Sequence, residues 1–228
     1  MKSAEEVYNF IYNDGRIREI SKSIDERENA NVDAWGHHNF NHVSNVKDIV
    51  EEILRMLNYD NEFIEEAKIA AIMHDVGAVQ GKENHAERSY IYAKNYFNEN
   101  NINIEHKEQV LEAIKNHSDG FDSDNIIQLA LILADKLDIK YTRPTKRGLE
   151  IPGNRQYGNI ENINTEIKDG ALKIKFKSND KLDKKELEDF YFMKKVGNAI
   201  KSFANKLNLK YEVFLNGEEW NEILSNIK

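Results

Sequence analysis

Ala70-Ala71-Ile72-Met73-His74-Asp75-Val76-Gly77 is the stretch on which the reading of this chain turns. An apolar helical run ends in an imidazole and a carboxylate side by side, and a glycine follows. Neighbouring side chains on a helix point about a third of a turn apart, so the two reach a common ion only where the helix is ending. A glycine there is an ordinary helix stop, and a lone His-Asp pair would pass for a cap. Its company changes the reading: His42 stands upstream, and His85, His117 and Asp135 downstream, each in or beside a helical segment.

Outward from the pair, steps of three and four recur. Val43, Val46, Ile49, Val50, Ile53, Leu54 and Leu57 predict one buried helix face, with His42 at its first turns. Glu62 to His74 forms the helix that carries the pair, and Val76 to Asn84 reads as a loop. His85–Asn98 and Ile104–His117 are two further helices. Asp124–Ile139 is apolar on nearly all sides, which predicts the buried centre of a bundle. Asp135, near its end, is a carboxylate in surroundings where a free charge costs several kcal/mol unless paired or bound to metal. Nearer the start, Ser3-Ala4-Glu5-Glu6 fits a capping box, and a charged helix is expected over Arg16–Glu28. Trp35, Tyr90 and Tyr141 read as core aromatics, His37-His38 as a solvated pair or the mouth of a site, and His106 as surface.

After Arg143-Pro144 the texture changes. Ile163, Thr165 and Ile167 alternate, Asp169-Gly170 marks a hairpin turn, and Leu172, Ile174 and Phe176 alternate again. A long helix with Phe190, Met193, Val196, Ile200, Phe203 and Leu207 inward is expected next. A strand over Lys210–Leu215 and a closing helix over Glu218–Ile227 follow it. The fold class is mainly α: a helical bundle over residues 1–145 with a small C-terminal α+β appendage over residues 146–228 (hairpin, long helix, strand, helix).

Composition sets the bounds. The 228 residues can bury a sizeable core, and the net charge of −8 gives no electrostatic reason to expect a nucleic-acid duplex or an anionic membrane as partner. Without cysteine there is no thiolate ligand or nucleophile, so any metal is held by nitrogen and oxygen. The start is acidic and lacks the apolar core of a signal peptide, and no apolar run is long enough to span a bilayer, so the cytoplasm is the expected compartment. Imidazole and carboxylate together suit Mn, Fe, Ni or Zn, and carboxylate also suits Mg. Asp75 is the natural bridge between two such ions: His42, His74 and Asp135 would complete one shell, and His85 and His117 would hold the second. Lys82, Arg88, Lys136 and Arg143 are the nearby cations for a phosphate.

A histidine, a His-Asp pair and a distant aspartate, standing as His42, His74-Asp75 and Asp135, resemble the signature of the HD superfamily of metal-dependent phosphohydrolases. The wording around them is similar too: His42-Val43-Ser44-Asn45-Val46 opens a helix, and Leu133-Ala134-Asp135-Lys136-Leu137-Asp138 closes one. His85 and His117 match the branches that bind two metals, which include bacterial diadenosine-tetraphosphate hydrolases and HD-GYP phosphodiesterases. The latter carry a lysine just after the pair and a Gly-Tyr-Pro segment, whereas Ala78-Val79 and Gly120-Phe121-Asp122 stand here, which disfavours cyclic-dinucleotide cleavage. The resemblance covers residues 35–145. It implies a helical fold, a divalent metal cofactor with two ions, and His74 and Asp75 at the reacting centre. The implied reaction is hydrolysis of a phosphate ester or anhydride, of a nucleotide or dinucleotide, by a metal-bound hydroxide. The small-molecule phosphorylated substrate would be the principal partner, with a homo-oligomer allowed. The alternative is a nucleotide-sensing or partner-binding module without turnover, which would have no need of a bridging carboxylate.

Overall fold

The computed structural model describes residues 2–30 and 34–225. The chain divides into two compact units: residues 1–27 with 38–134, and residues 28–37 with 135–228.

Seven helices belong wholly or mainly to the first unit: α1 (Ala4–Tyr12), α2 (Gly15–Ala30), α3 (Phe40–Met56), α4 (Asn61–Met73), α5 (His85–Glu99), α6 (Lys107–Asn116) and α7 (Ile126–Leu137). The capping box is present: Ser3 Oγ accepts the Glu6 N–H, and Glu6 accepts the Ser3 N–H. Helix α4 is the element the others surround, packing on α1, α3 and α6, and every residue from Phe63 to Met73 is buried. Two glutamates and a lysine therefore lie inside, and each has a partner, as burial demands. Lys68 Nζ is 2.6 Å from Glu65 and 3.5 Å from Glu51, and Glu66 accepts both the backbone N–H and the Nδ1–H of His106. His106 is thus an anchor for α4 rather than a solvated side chain, and it delays the start of α6 to Lys107. Helix α7 is buried on all sides, as its composition requires.

The second unit holds a four-stranded sheet in the order β1 (Ile160–Lys168), β2 (Ala171–Ser178), β3 (Lys210–Leu215), β4 (Glu218–Glu219). Asp169 and Gly170 both take positive φ, 53° and 72°, the conformation a two-residue hairpin needs, and β1 pairs antiparallel with β2. Strand β3 runs parallel to β2, with Leu172 opposite Tyr211 and Phe176 opposite Leu215. The crossover between them holds α8 (Lys184–Asp189) and α9 (Phe192–Lys206). The single long helix expected there is broken: Phe190 adopts an extended ψ of 126°, which buries its own ring and turns Tyr191 outward, 51% exposed. The closing helix is also shorter than expected. Glu218–Glu219 pairs with β3, α10 covers Glu222–Ser225, and Ile227 lies outside the described residues. Leu172, Ile174, Phe176, Val196, Ile200, Phe203, Val213 and Trp220 form the core of this unit.

Residues 34–37 join this unit by hydrogen bonding to the chain after α7. Gly36 bridges Pro144, the His37 N–H donates to Arg143 O at 2.9 Å, and Thr145 Oγ1 donates to Ala34 O, 111 residues away in sequence. Trp35 is half-buried, as is Tyr90, while Tyr141 is 60% exposed and so not a core aromatic. Among the described residues no helix is long and apolar enough to cross a membrane.

Candidate metal centre

Helix α4 stops at Met73. His74 is its C-cap in αR conformation, and a 3-10 turn over Val76–Gln80 replaces the expected open loop, closed by Ala78 N–H on Asp75 O at 2.9 Å. The glycine after the pair is not a left-handed cap. A β-carbon on Gly77 would stand 2.3 Å from His85 O and 2.6 Å from Ser89 N, so the residue is needed for close approach to the first turn of α5. Ser89 Oγ accepts the Gly77 N–H at 2.9 Å, and Arg88 donates Nε to Gly77 O at 3.0 Å and Nη2 to Gly81 O. The turn is thereby clamped onto α5, and His85 arrives beside Asp75. Arg88, expected as a phosphate ligand, spends these donors on the backbone of the turn. Lys82 is exposed on the same turn.

Three imidazoles are oriented in one way. Nδ1 of His74, His85 and His117 lies 2.7, 2.7 and 2.8 Å from the carbonyls of Ala71, Lys82 and Ile114, each three residues earlier. A carbonyl only accepts, so Nδ1 carries the hydrogen and Nε2 is left with its lone pair turned inward. There the Nε2 atoms of His85 and His117 stand 3.0 Å apart. Asp75 Oδ1 is 3.2 Å from His85 Nε2 and 3.4 Å from His117 Nε2, while Oδ2 is 3.1 Å from His74 Nε2 and 3.4 Å from His42 Nε2. Each oxygen of one carboxylate thus faces its own pair of imidazoles.

Burial pushes His117 down to about 4, so its imidazole is neutral at neutral pH. A buried anion then faces nitrogen lone pairs, and His74 Nε2 and both Asp75 oxygens are buried without a hydrogen bond. Such atoms are costly unless a cation lies among them. The donor set fits one. Two atoms bound to the same ion at about 2.1 Å lie roughly 3.0–3.4 Å apart, for octahedral or tetrahedral angles, which is the spacing seen here. The ligand atoms of His74, Asp75 and His117 all lie within 4.8 Å of one another, and all three residues are buried.

His42 comes from the first turn of α3, capped by Asn39, whose side chain accepts the N–H groups of Asn41 and His42. One turn earlier, His38 is buried rather than solvated, its ring 6.0 Å from that of His42 and 5.8 Å from that of His85. The i, i+4 spacing of His38 and His42 is the sequence signal for it. Asp135 follows Ala134 on α7 and belongs to the second unit, where Lys136 Nζ lies 2.5 Å from its Oδ2 and Arg143 Nη2 3.9 Å from its Oδ1.

Residues 39–140 match the family model described as the HD domain. A solved structure, a predicted HD superfamily hydrolase from an uncultured Thermotogales bacterium, aligns with 24% identity over 59% of this chain and 74% of that one, at a TM-score of 0.41. Among curated proteins nothing matches.

Proposed function

We propose that this chain, which carries an HD domain over residues 39–140, is a metal-dependent phosphohydrolase whose substrate is a phosphate ester or anhydride of a nucleotide or dinucleotide. One observation carries the reading: the two oxygens of Asp75 face two different pairs of imidazoles, and neither accepts a hydrogen bond. A carboxylate that only capped a helix would be engaged by backbone N–H groups.

In this reading Asp75 with His42 and His74 would hold one divalent ion, and Asp75 with His85 and His117 would hold the other. Asp135 completes the first set, an assignment that rests on the signature. Bound there, two ions supply Lewis acidity at phosphorus and acidify a water. The chain supplies the rest. Three backbone carbonyls hold His74, His85 and His117 in the ligating tautomer, Arg88 and Ser89 fix the turn that presents His85, and Lys82, Lys136 and Arg143 are the cations offered to phosphate. Mn, Fe, Ni and Zn suit the mixed nitrogen and oxygen donors better than Mg does.

The test is turnover by the purified chain on nucleotides, dinucleoside polyphosphates and bis(p-nitrophenyl) phosphate, with each metal in turn. Hydrolysis abolished by chelation supports the reading. Stoichiometric metal binding with no hydrolysis of any substrate would favour a sensing module instead.

A further inference from the structure

Among the buried polar atoms of the second unit that have no hydrogen-bond partner are Arg143 Nη1 and the Tyr157 hydroxyl. Both residues are more than nine-tenths buried, Arg143 at 8% exposure and Tyr157 at 3%. Proteins do not leave a guanidinium N–H and a phenol orphaned inside without cause. Arg143 is fixed by its backbone, which accepts from the His37 N–H and donates to Lys140 O, and its ion pair with Asp135 is long, 3.9 Å. Tyr157 is fixed by its ring, edge-on to Phe190 at 5.9 Å and to Phe192 at 6.4 Å. The same Phe192 ring has Lys136 Nζ at 5.9 Å, and Lys136 pairs with Asp135. A guanidinium, an ammonium and a phenol are thus gathered around one aromatic cluster, with the Asp135 carboxylate against Lys136.

We infer that Arg143, Tyr157 and Lys136 form a phosphate-binding subsite in the second unit, in which Arg143 Nη1 and the Tyr157 hydroxyl donate to phosphoryl oxygens. A tetrahedral anion with three terminal oxygens meets donors arriving from different directions, which a planar carboxylate cannot do, and Arg is suited to that geometry. Burial raises the Tyr157 hydroxyl well above its ordinary value, so it remains a donor across the working range of pH. Tyr191, turned outward beside Phe190 and Phe192 at the break between α8 and α9, gives the subsite an exposed aromatic neighbour. That the phosphate is part of a substrate rests on the function proposed above, whereas the anion site itself does not.

Calorimetric titration of the full chain with inorganic phosphate, before and after chelation of metal, tests it. Phosphate should still bind after chelation, about ten-fold more weakly in Tyr157→Phe and about a hundred-fold more weakly in Arg143→Met, as loss of one neutral and one charged donor predicts. Arg143→Lys should fall between. Tyr157→Phe removes an orphaned hydroxyl, so it should melt no lower than the wild type, which separates lost binding from lost fold. Equal phosphate affinity in Tyr157→Phe and wild type, or binding that vanishes on chelation, overturns the subsite. Hydrolysis by the metal-loaded chain with KM unchanged in Tyr157→Phe would sink the subsite and leave the phosphohydrolase standing. Phosphate binding that depends on Arg143, without turnover of any substrate, would do the reverse.

Discussion

Substituting Gly77 by alanine tests whether the turn after the His-Asp pair builds the second half of the metal centre. The added β-carbon would stand 2.3 Å from His85 O, 2.6 Å from Ser89 N and 2.8 Å from Arg88 Cβ, where ordinary contact begins near 3.4 Å. Two of these atoms are backbone at the start of α5, so relief requires the helix start or the turn to move by about an ångström. Overpacking of this kind costs about 1–3 kcal/mol. The Gly77–Ser89 and Arg88–Gly77 hydrogen bonds, at about 1 kcal/mol each, would be strained with it. A loss of about 3–5 kcal/mol follows, or roughly 10 °C in melting temperature for a chain of this size. His85 moves with the helix start, so its Nε2 leaves Asp75 Oδ1 while His42 and His74 remain. If the wild type holds the two metals proposed, elemental analysis of the variant should then find metal falling from two per chain toward one. If Gly77 were only a flexible stop with room around it, alanine would be neutral or stabilise by about 0.4–1 kcal/mol, because its φ is not positive. A melting shift under about 3 °C, with two metals retained, would refute the close-approach argument.

Asp75→Asn should lose metal and turnover together, while the metal-free variant melts no lower than metal-free wild type, because a buried unsatisfied charge disappears; retention of half the activity would exclude the bridging role. His85→Ala and His117→Ala should each bring metal toward one per chain, and one metal per chain in wild type and both variants would mean a mononuclear site. Asp135→Asn should abolish activity with the helical circular dichroism intact, whereas an unfolded variant would make Asp135 structural. Hydrogen bonds from Arg16, and one from Tyr96, hold the Asp14 carboxyl down at about 2. Its contribution is therefore present above its ordinary value near 3.8 and lost as pH falls toward 2. With Arg16 half-exposed, it amounts to about 1 kcal/mol, so denaturant midpoints measured from pH 5 to pH 2 should fall less steeply in Asp14→Asn.

What the sequence made legible follows from period and residue chemistry. The faces of α3 and α7 and the alternation in β1 and β2 are local signals, and the observed elements lie within a few residues of those expected. His74, Asp75, His85 and His117 come together because helix ends are where one chain can present an imidazole or a carboxylate without burying its backbone unpaired. Three things were not legible. Gly77 reads as a stop in one dimension, and only the approach of α5 shows that it makes room. Arg88 reads as a free cation until the carbonyls of Gly77 and Gly81 take its N–H groups. Tyr157 lies in a segment with no period at all, so nothing local foretells that its hydroxyl lies buried without a partner. The break at Phe190 was hidden for a related reason, since no proline or glycine marks it, and packing of Phe190 and Phe192 on Tyr157 accompanies it.

The bridge from residues 34–37 to residues 143–145 sets an order of events during synthesis. At roughly 5–20 residues per second, the 111 residues that follow Ala34 up to and including Thr145 take several seconds or more to emerge. Throughout that interval Trp35 and Gly36 lack the segment they pair with, and before it ends α3, α4, α5 and α6 are complete and able to pack. Closing so long a loop adds little entropy beyond a short one, so the delay is a matter of time rather than of stability. A chain halted near residue 140 would already include all six proposed metal ligands and still display Trp35 to any chaperone or protease at the ribosome.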